Sequence, residues 1–215
     1  MNPAPNAAPP PTEARVGEAE LKAAERYLEQ EEGAVSRFRG VLSVITTTLL
    51  VVMSLYHLYA AIDIVPAVVL RPVHVGFVLL LVFLLFPTAQ RFRNRLMPWD
   101  VVFALGGVAT IVYVLLGGDD FWDRNTLPTA TDRWMGLVFV LLVLEACRRT
   151  SGLIMTAVVG MFIVYAYVGP SLPGSWTHRG YDTASLTGFL YQTLEGIFGT
   201  AVDVSSSLII LFTIY

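Results

Sequence analysis

This chain is poor in the residues that soluble proteins use most. Only 14% of its 215 residues are charged, lysine occurs once (Lys22) and cysteine once (Cys147). A soluble domain carries about 25% charged residues, so the surface of this protein is not built to face water alone. One cysteine closes no internal disulfide, which excludes a disulfide scaffold. Beside Arg148 and Arg149 at a helix end, Cys147 reads as a small apolar filler. No basic stripe is present to meet phosphates, which leaves nucleic acid without an electrostatic footprint. HExxH, P-loop and GxSxG strings are missing, as are a cysteine pair and carboxylates facing each other inside one apolar run. No enzyme chemistry is legible. The first 36 residues lack an apolar h-region, so no cleavable signal peptide is legible either. The first apolar helix is expected to direct insertion itself.

Apolar residues make up 55% of the chain, and they come in runs. Residues 40–62, 72–90, 101–118 and 150–178 carry no charge at all. A helix crosses a bilayer core with about 20 such residues. The fold class expected is therefore an all-α integral membrane bundle, with about five full spans and a truncated sixth. Continuous apolar runs are not the alternating pattern of a membrane barrel.

The spans are placed at about 38–62, 72–87, 99–116, 134–149 and 153–168. Pro72 is expected in the first turn of the second. The fourth reaches Glu145 after only 11 uncharged residues. It crosses if Arg148 and Arg149 snorkel and 131–133 join the helix. Ahead of the spans, residues 1–36 form a Pro/Ala-rich and then acidic tail, with seven glutamates against three basic residues. Residues 12–32 are good helix formers without an apolar stripe, read as a solvated helix or loose tail. Val16, Leu21 and Leu28 do not line up. A loop over 169–182 follows the fifth span. Residues 183–200 then carry Leu186, Phe189, Leu190, Leu194, Ile197 and Phe198 at three- and four-residue spacing, an amphipathic pattern suited to the interface or to other helices. Residues 204–215 begin another apolar run, which at 12 residues is too short to span. A helix ending in hydrocarbon leaves carbonyls unpaired, so the chain is expected to be a fragment of a longer protein.

Arginines set the orientation expected. With the N-terminus inside, the cytoplasmic flanks hold Arg37, Arg39, Arg91, Arg93, Arg95, Arg148 and Arg149, and the outer loops hold Arg71, Arg124, Arg133 and Arg179. The acidic tail is then cytoplasmic and 169–200 lies outside.

Polar residues at membrane depth are the candidates for function. His57 and His74 fall at similar depth on adjacent spans. Each is read as hydrogen-bonded to a neighbour, with a bis-imidazole haem as the alternative. His178 is expected to be solvated. Glu145 precedes Arg148 and Arg149 by three and four residues, the spacing of ion pairs on one helix face. They form either a neutralised helix end or a docking point for a transport subunit. Glu195 stands with Gly196 and Gly199, where the glycine pair allows close helix approach; a structural role and an ion path are the two readings. Asp63 and Asp100 look like interface residues, and Asp203 with Ser205, Ser206 and Ser207 is expected to cap the sixth span. Tyr56, Tyr59, Trp99, Trp122, Trp134 and Trp176 fit aromatic belts.

Several strings, in order, carry a resemblance. Ser54-Leu55-Tyr56-His57-Leu58-Tyr59-Ala60-Ala61 closes the first span and Arg71-Pro72-Val73-His74-Val75-Gly76-Phe77 opens the second. Leu144-Glu145-Ala146-Cys147-Arg148-Arg149 closes the fourth. Tyr165-Ala166-Tyr167-Val168-Gly169-Pro170, Leu172-Pro173-Gly174, His178-Arg179-Gly180-Tyr181 and Glu195-Gly196-Ile197-Phe198-Gly199 follow. Over 37–215 the chain resembles the N-terminal part of the fused membrane subunit, a four-span/twelve-span fusion, of tripartite ATP-independent periplasmic (TRAP) transporters of the TAXI branch. The resemblance implies a small-subunit-like bundle over 37–149, a connecting helix and periplasmic loop over 150–182, and the start of the large transport subunit over 183–215. It further implies a bacterial inner-membrane secondary transporter for organic acids, driven by sodium or protons. Its partners would be a periplasmic substrate-binding protein, the remainder of the large subunit and the bilayer. The substrate and ion sites would lie in that remainder, so this chain by itself is expected not to transport. A self-contained small membrane scaffold or partner subunit is the alternative.

Overall fold

Residues 20–24, 27, 38, 40–89, 92 and 95–214 are described by the computed structural model. Arg37, Arg39, Arg91 and Arg93 lie outside the described residues, as does most of the acidic tail. Of that tail, 20–24 and 27 are helical and exposed.

Apolar runs become helices because a helix satisfies its own backbone. Four follow in order: α1 (Val41–Ile62), α2 (Ala67–Leu85), α3 (Pro98–Asp123) and α4 (Ala130–Val168). These four are long and apolar enough to cross a membrane, and no strand occurs among the described residues. α2 begins five residues earlier than expected, with Pro66 as its N-cap. Pro72 is therefore inside the helix, where its missing N–H costs one backbone bond. α3 runs past 116 to Asp123 but breaks at Gly118, whose φ is 52°.

The fourth and fifth expected spans are continuous except at Gly152, where φ is 82° and ψ 179°. Only glycine adopts that conformation without strain. The chain turns back there. The Tyr181 amide bonds the Ala166 carbonyl at 2.9 Å, and Thr183 lines one depression with Ala130 and Arg133. A straight helix would separate 130 from 166 by roughly 54 Å at 1.5 Å per residue, so the two ends meet only because the element folds back.

Two short 3₁₀ turns, Gly169–Ser171 and Gly174–Trp176, lead to α5 (Thr183–Tyr191). The amphipathic segment stays helical only that far. Tight turns over 192–199 follow, then α6 (Thr200–Val204), a π-helical stretch (Ser205–Ile209) and α7 (Ile210–Ile214).

The core lies where α2, α3 and the 130–151 part of α4 meet, and α5 closes it. Val75, Leu79, Phe83, Ile111, Val114 and Phe139 are buried there. Gly76 faces Ile111, and Gly107 faces Leu79, so small residues let α2 and α3 approach. Tyr191 and Phe198 complete the cluster with Phe121 and Phe139. The apolar face of 183–198 is thus spent on the bundle. In contrast α1 buries only Thr46 and His57, and most of 153–168 is exposed apolar surface.

Of the residues expected in aromatic belts, Trp99, Trp134, Trp176 and Tyr59 are exposed. Two belt residues differ. Trp122 packs edge-on against Phe121 and near Phe198, and Tyr56 packs against His57 and Phe77 with its hydroxyl buried.

The Gly152 turn generates a prediction. No atom lies within 4 Å of a Cβ added at Gly152 or at Gly160, yet only Gly152 has positive φ. Gly152→Ala is expected to lower stability by about 1–3 kcal/mol through backbone strain alone. Gly160→Ala, in regular helix, is expected to leave it unchanged or raised. Unfolding titrations of both variants in detergent check this.

Candidate functional site

Charge enters the bundle at both ends. At the 85–100 end, Glu145 accepts bonds from Arg148 Nε (2.7 Å) and Arg149 Nε (2.8 Å), as the i+3 and i+4 spacing predicts. Arg148 keeps 29% of its side-chain exposure, but Arg149 keeps none. Arg149 does not snorkel as expected. It turns inward, bonds Asp100 Oδ1 at 2.7 Å and the Phe86 carbonyl at 3.0 Å, and lies over the rings of Phe83 and Phe103. Asp100 is likewise no interface residue. At 2% exposure it also accepts from Thr88 Oγ1 and from the Met97 amide, whose helix start it caps. One carboxylate and one guanidinium thereby join the end of α2, the start of α3 and the 130–151 helix. Both readings of Glu145 need these ion pairs, and the pairs are formed.

At the 118–132 end a second buried carboxylate does the same. Asp132, 1% exposed, accepts from Arg124 Nε (2.7 Å), Tyr113 Oη (2.7 Å), the Thr129 amide (2.9 Å) and Thr129 Oγ1 (2.8 Å). The Asp132 hydrogen bond holds the Arg124 guanidinium above its ordinary range. Nearby, the Tyr191 hydroxyl donates to the Thr110 carbonyl at 2.6 Å and Gln192 Nε2 to the Phe121 carbonyl at 3.0 Å. These bonds tie the segment after α5 to α3.

A third polar group joins α1, α2 and the last helical stretch. His57 and His74 are both buried and bond each other directly, Nε2 to Nδ1, at 3.0 Å with rings at 82°. His57 Nδ1 lies 2.7 Å from the Met53 carbonyl, and His74 Nε2 lies 3.1 Å from Ser205 Oγ. A metal between two imidazoles needs about 2 Å to each nitrogen. The 3.0 Å gap is filled by a hydrogen bond instead, so the pair does not fit a bis-imidazole haem. One turn before His74, Arg71 pairs with Asp203 at 2.9 Å and bonds the Phe198 carbonyl at 3.2 Å. Asp203 is therefore not the cap expected of it. The helix starts at Thr200 with Gly199 as N-cap, Asp203 turns to Arg71, and Ser206 and Ser207 donate to its carbonyl. Four buried polar atoms have no partner among the described residues: Tyr56 Oη, Arg71 Nε, Arg149 Nη2 and Gln192 Oε1.

Glu195 is exposed and borders a depression of 480 Å³ with Trp122, Asn125 and Gln192. Gly196 and Gly199 do not bring two helices together. A Cβ on Gly196 would run into the Phe189 and Leu190 carbonyls, and one on Gly199 would sit 2.8 Å from the Gly196 carbonyl. They close the tight turn that aims α6 at α2. His178 is not merely solvated. Its Nδ1 accepts the Gly180 amide at 3.0 Å, its Nε2 lies 3.0 Å from the Tyr165 carbonyl, and the ring packs on Tyr165. Next to it, Asp182 caps α5, and its bond from Ser185 pulls its carboxyl below the ordinary range. No group of three or more metal-ligating side chains occurs among the described residues.

The residues missed from sequence were the partners: Asp100 for Arg149, Ser205 for His74 and Arg71 for Asp203. Only Asp132 had a local signal, the Thr129-x-x-Asp132 capping box. Comparison with protein-family models, with curated proteins and with solved structures finds no match.

The Asp100–Arg149 pair generates a double-mutant cycle. Arg149→Met leaves a buried carboxylate without its cation and is expected to cost about 3–5 kcal/mol. Arg149→Met combined with Asp100→Leu is expected to regain most of that loss. Arg148→Met removes a partly exposed pair and is expected to cost about 1 kcal/mol or less. Unfolding titrations in mixed micelles read all three.

Proposed function

We propose that this chain is the scaffold part of the fused membrane subunit of a TRAP-type secondary transporter. One observation carries the reading: the bundle grips the segment that starts the next helix. Tyr191 and Gln192 bond to α3, while Asp203 pairs with Arg71 and Ser205 with His74 on α2. A scaffold that holds a transport domain needs that kind of grip. The charged networks also favour a static role, since the ion pairs of each are gathered at an end of the bundle rather than aligned along a path through it.

In this reading α1, α2, α3 and 130–151 are the small-subunit-like bundle. The helix 153–168 is the fifth span, returning the chain outward, and 200–214 opens the sixth. The N-terminus faces the cytoplasm of a bacterial inner membrane. The exposed apolar faces of α1 and 153–168 meet lipid or the transport part. Substrate and ion sites belong to that large part, and an extracytoplasmic binding protein delivers an organic acid.

Gradient-driven uptake tests the proposal. Disrupting the gene that encodes this chain is expected to abolish sodium- or proton-driven uptake of at least one member of a panel of radiolabelled organic acids. The chain of 215 residues alone in proteoliposomes is expected to accumulate none of them. Unchanged uptake across the panel after disruption overturns the transporter reading in favour of a self-contained membrane scaffold. Topology is read separately. In a Cys147→Ser background, a cysteine at Thr88 is expected to react only from the cytoplasmic side and one at Asp182 only from outside.

A further inference from the structure

The two buried histidines have a property that neither the ion networks nor the transporter reading uses. Their hydrogen bonds all point one way. A backbone carbonyl only accepts, so His57 Nδ1 must donate to Met53. In a neutral imidazole the other nitrogen then accepts, so His57 Nε2 takes its proton from His74 Nδ1. By the same rule His74 Nε2 accepts, and the Ser205 hydroxyl donates to it. Both rings are Nδ1–H tautomers. His178 provides the opposite case, for its Nδ1 accepts the Gly180 amide and its Nε2 donates to the Tyr165 carbonyl.

We propose that His57, His74 and Ser205 form a binding site for a single proton at the joint between α1, α2 and the last helical stretch. The proton enters at one place. It comes from hydronium and adds to the lone pair of His74 Nε2, leaving water behind. The Ser205 hydroxyl rotates, accepts the new N–H and turns its own hydrogen toward a carbonyl of the preceding turn, a bond serine makes readily in helices. The His57–His74 bond is undisturbed. A second proton has no such place. It would have to occupy His57 Nε2, which sits 3.0 Å from a nitrogen that already carries hydrogen. Two donors at that distance break the row. Its capacity is one.

Among the described residues, the surroundings offer an added proton no free partner of opposite charge. α1 presents the Tyr56 ring edge-on to His57 at 5.3 Å, and further along it Tyr59 bonds Asp63. On α2 the charged neighbour is Arg71, and on α6 it is Asp203, and these two neutralise each other. No charged group of α3 or α4 bonds the row among the described residues. A proton therefore arrives at a site with no spare counter-charge, since Asp203 is already paired with Arg71. Ser205 is also the first residue of the π-helical stretch. Such stretches recur at functional sites, because a shift of bonding register is available to them. Proton occupancy and the seating of the last helical stretch are thereby linked. None of this rests on the transporter reading.

Nitrogen-15 NMR of the whole chain in micelles, labelled at the histidine rings, tests the proposal. In neutral solution two rings are expected as Nδ1–H tautomers and one, His178, as Nε2–H. On acidification from about pH 8 to about pH 4, the range in which histidines titrate, the pair is expected to gain one proton, seen at His74 Nε2. A second proton on the pair, or an Nε2–H tautomer of His57 or His74 at the high-pH end, overturns it. His57→Gln keeps an acceptor for His74 and is expected to retain the one-proton uptake. His74→Gln is expected to lose it, and uptake retained there overturns the assignment. Circular dichroism checks that both variants fold, and the wild-type spectrum decides the matter without them.

Discussion

Hydrocarbon tails are as apolar as leucine, so helices lying among them gain little by burying apolar side chains against one another. Some other bond must make one packing better than the rest. Here it is the contact of Arg149 with Asp100, a charge pair 2.7 Å long with no side-chain exposure on the arginine. Lipid offers neither partner a substitute, and Glu145 is the second carboxylate that Arg149 reaches. Because Asp100 also caps α3 and Arg149 also holds the Phe86 carbonyl at the end of α2, one pair fixes three helix ends. Once they are fixed, the Leu79–Gly107 and Ile111–Gly76 contacts follow from the helix repeat.

The opposite end repeats the solution with different parts. Asp132 gathers Arg124, Tyr113 and Thr129, satisfying the break after Gly118 and the start of α4 together. A bundle pinned at both ends has a register that lipid cannot slide. What lies outside the pins is held more lightly. α1 meets α2 through His57 and Tyr56 and borders the last helical stretch through Leu58 and Ile62, and 153–168 returns to the bundle through its far end and the His178 loop.

The readable and unreadable parts of the sequence divide along a physical line. Apolar runs and the i, i+3, i+4 spacing of Glu145, Arg148 and Arg149 are local, and both appear in the structure, whereas the breaks at Gly118 and Gly152 leave no mark on the apolar pattern. Helix starts were displaced where proline was the guide, since Pro66 rather than Pro72 opens α2. The depth match of His57 and His74 was legible too, because helix rise converts position into depth. Their bonded state was not, for it depends on how the two helices are rotated. Arg149 shows the limit best. Its local partner Glu145 was visible at four residues, but its buried partner Asp100 lies 49 residues away and nothing in either neighbourhood announces the other.

Distance along the chain also sets an order of events as the protein is made. The Arg149–Asp100 contact spans 49 residues, Tyr191 reaches back 81 and Ser205 reaches back 131 to His74. A ribosome adding 5–20 residues per second takes roughly 7 to 26 seconds to cover the last of these. α2 is thus made early but is among the last to acquire all its partners. Between the emergence of His74 and that of Ser205 the histidine row is open at one end, and only in the last part of that interval, once Arg149 has been made, can the pin to Asp100 already be closed.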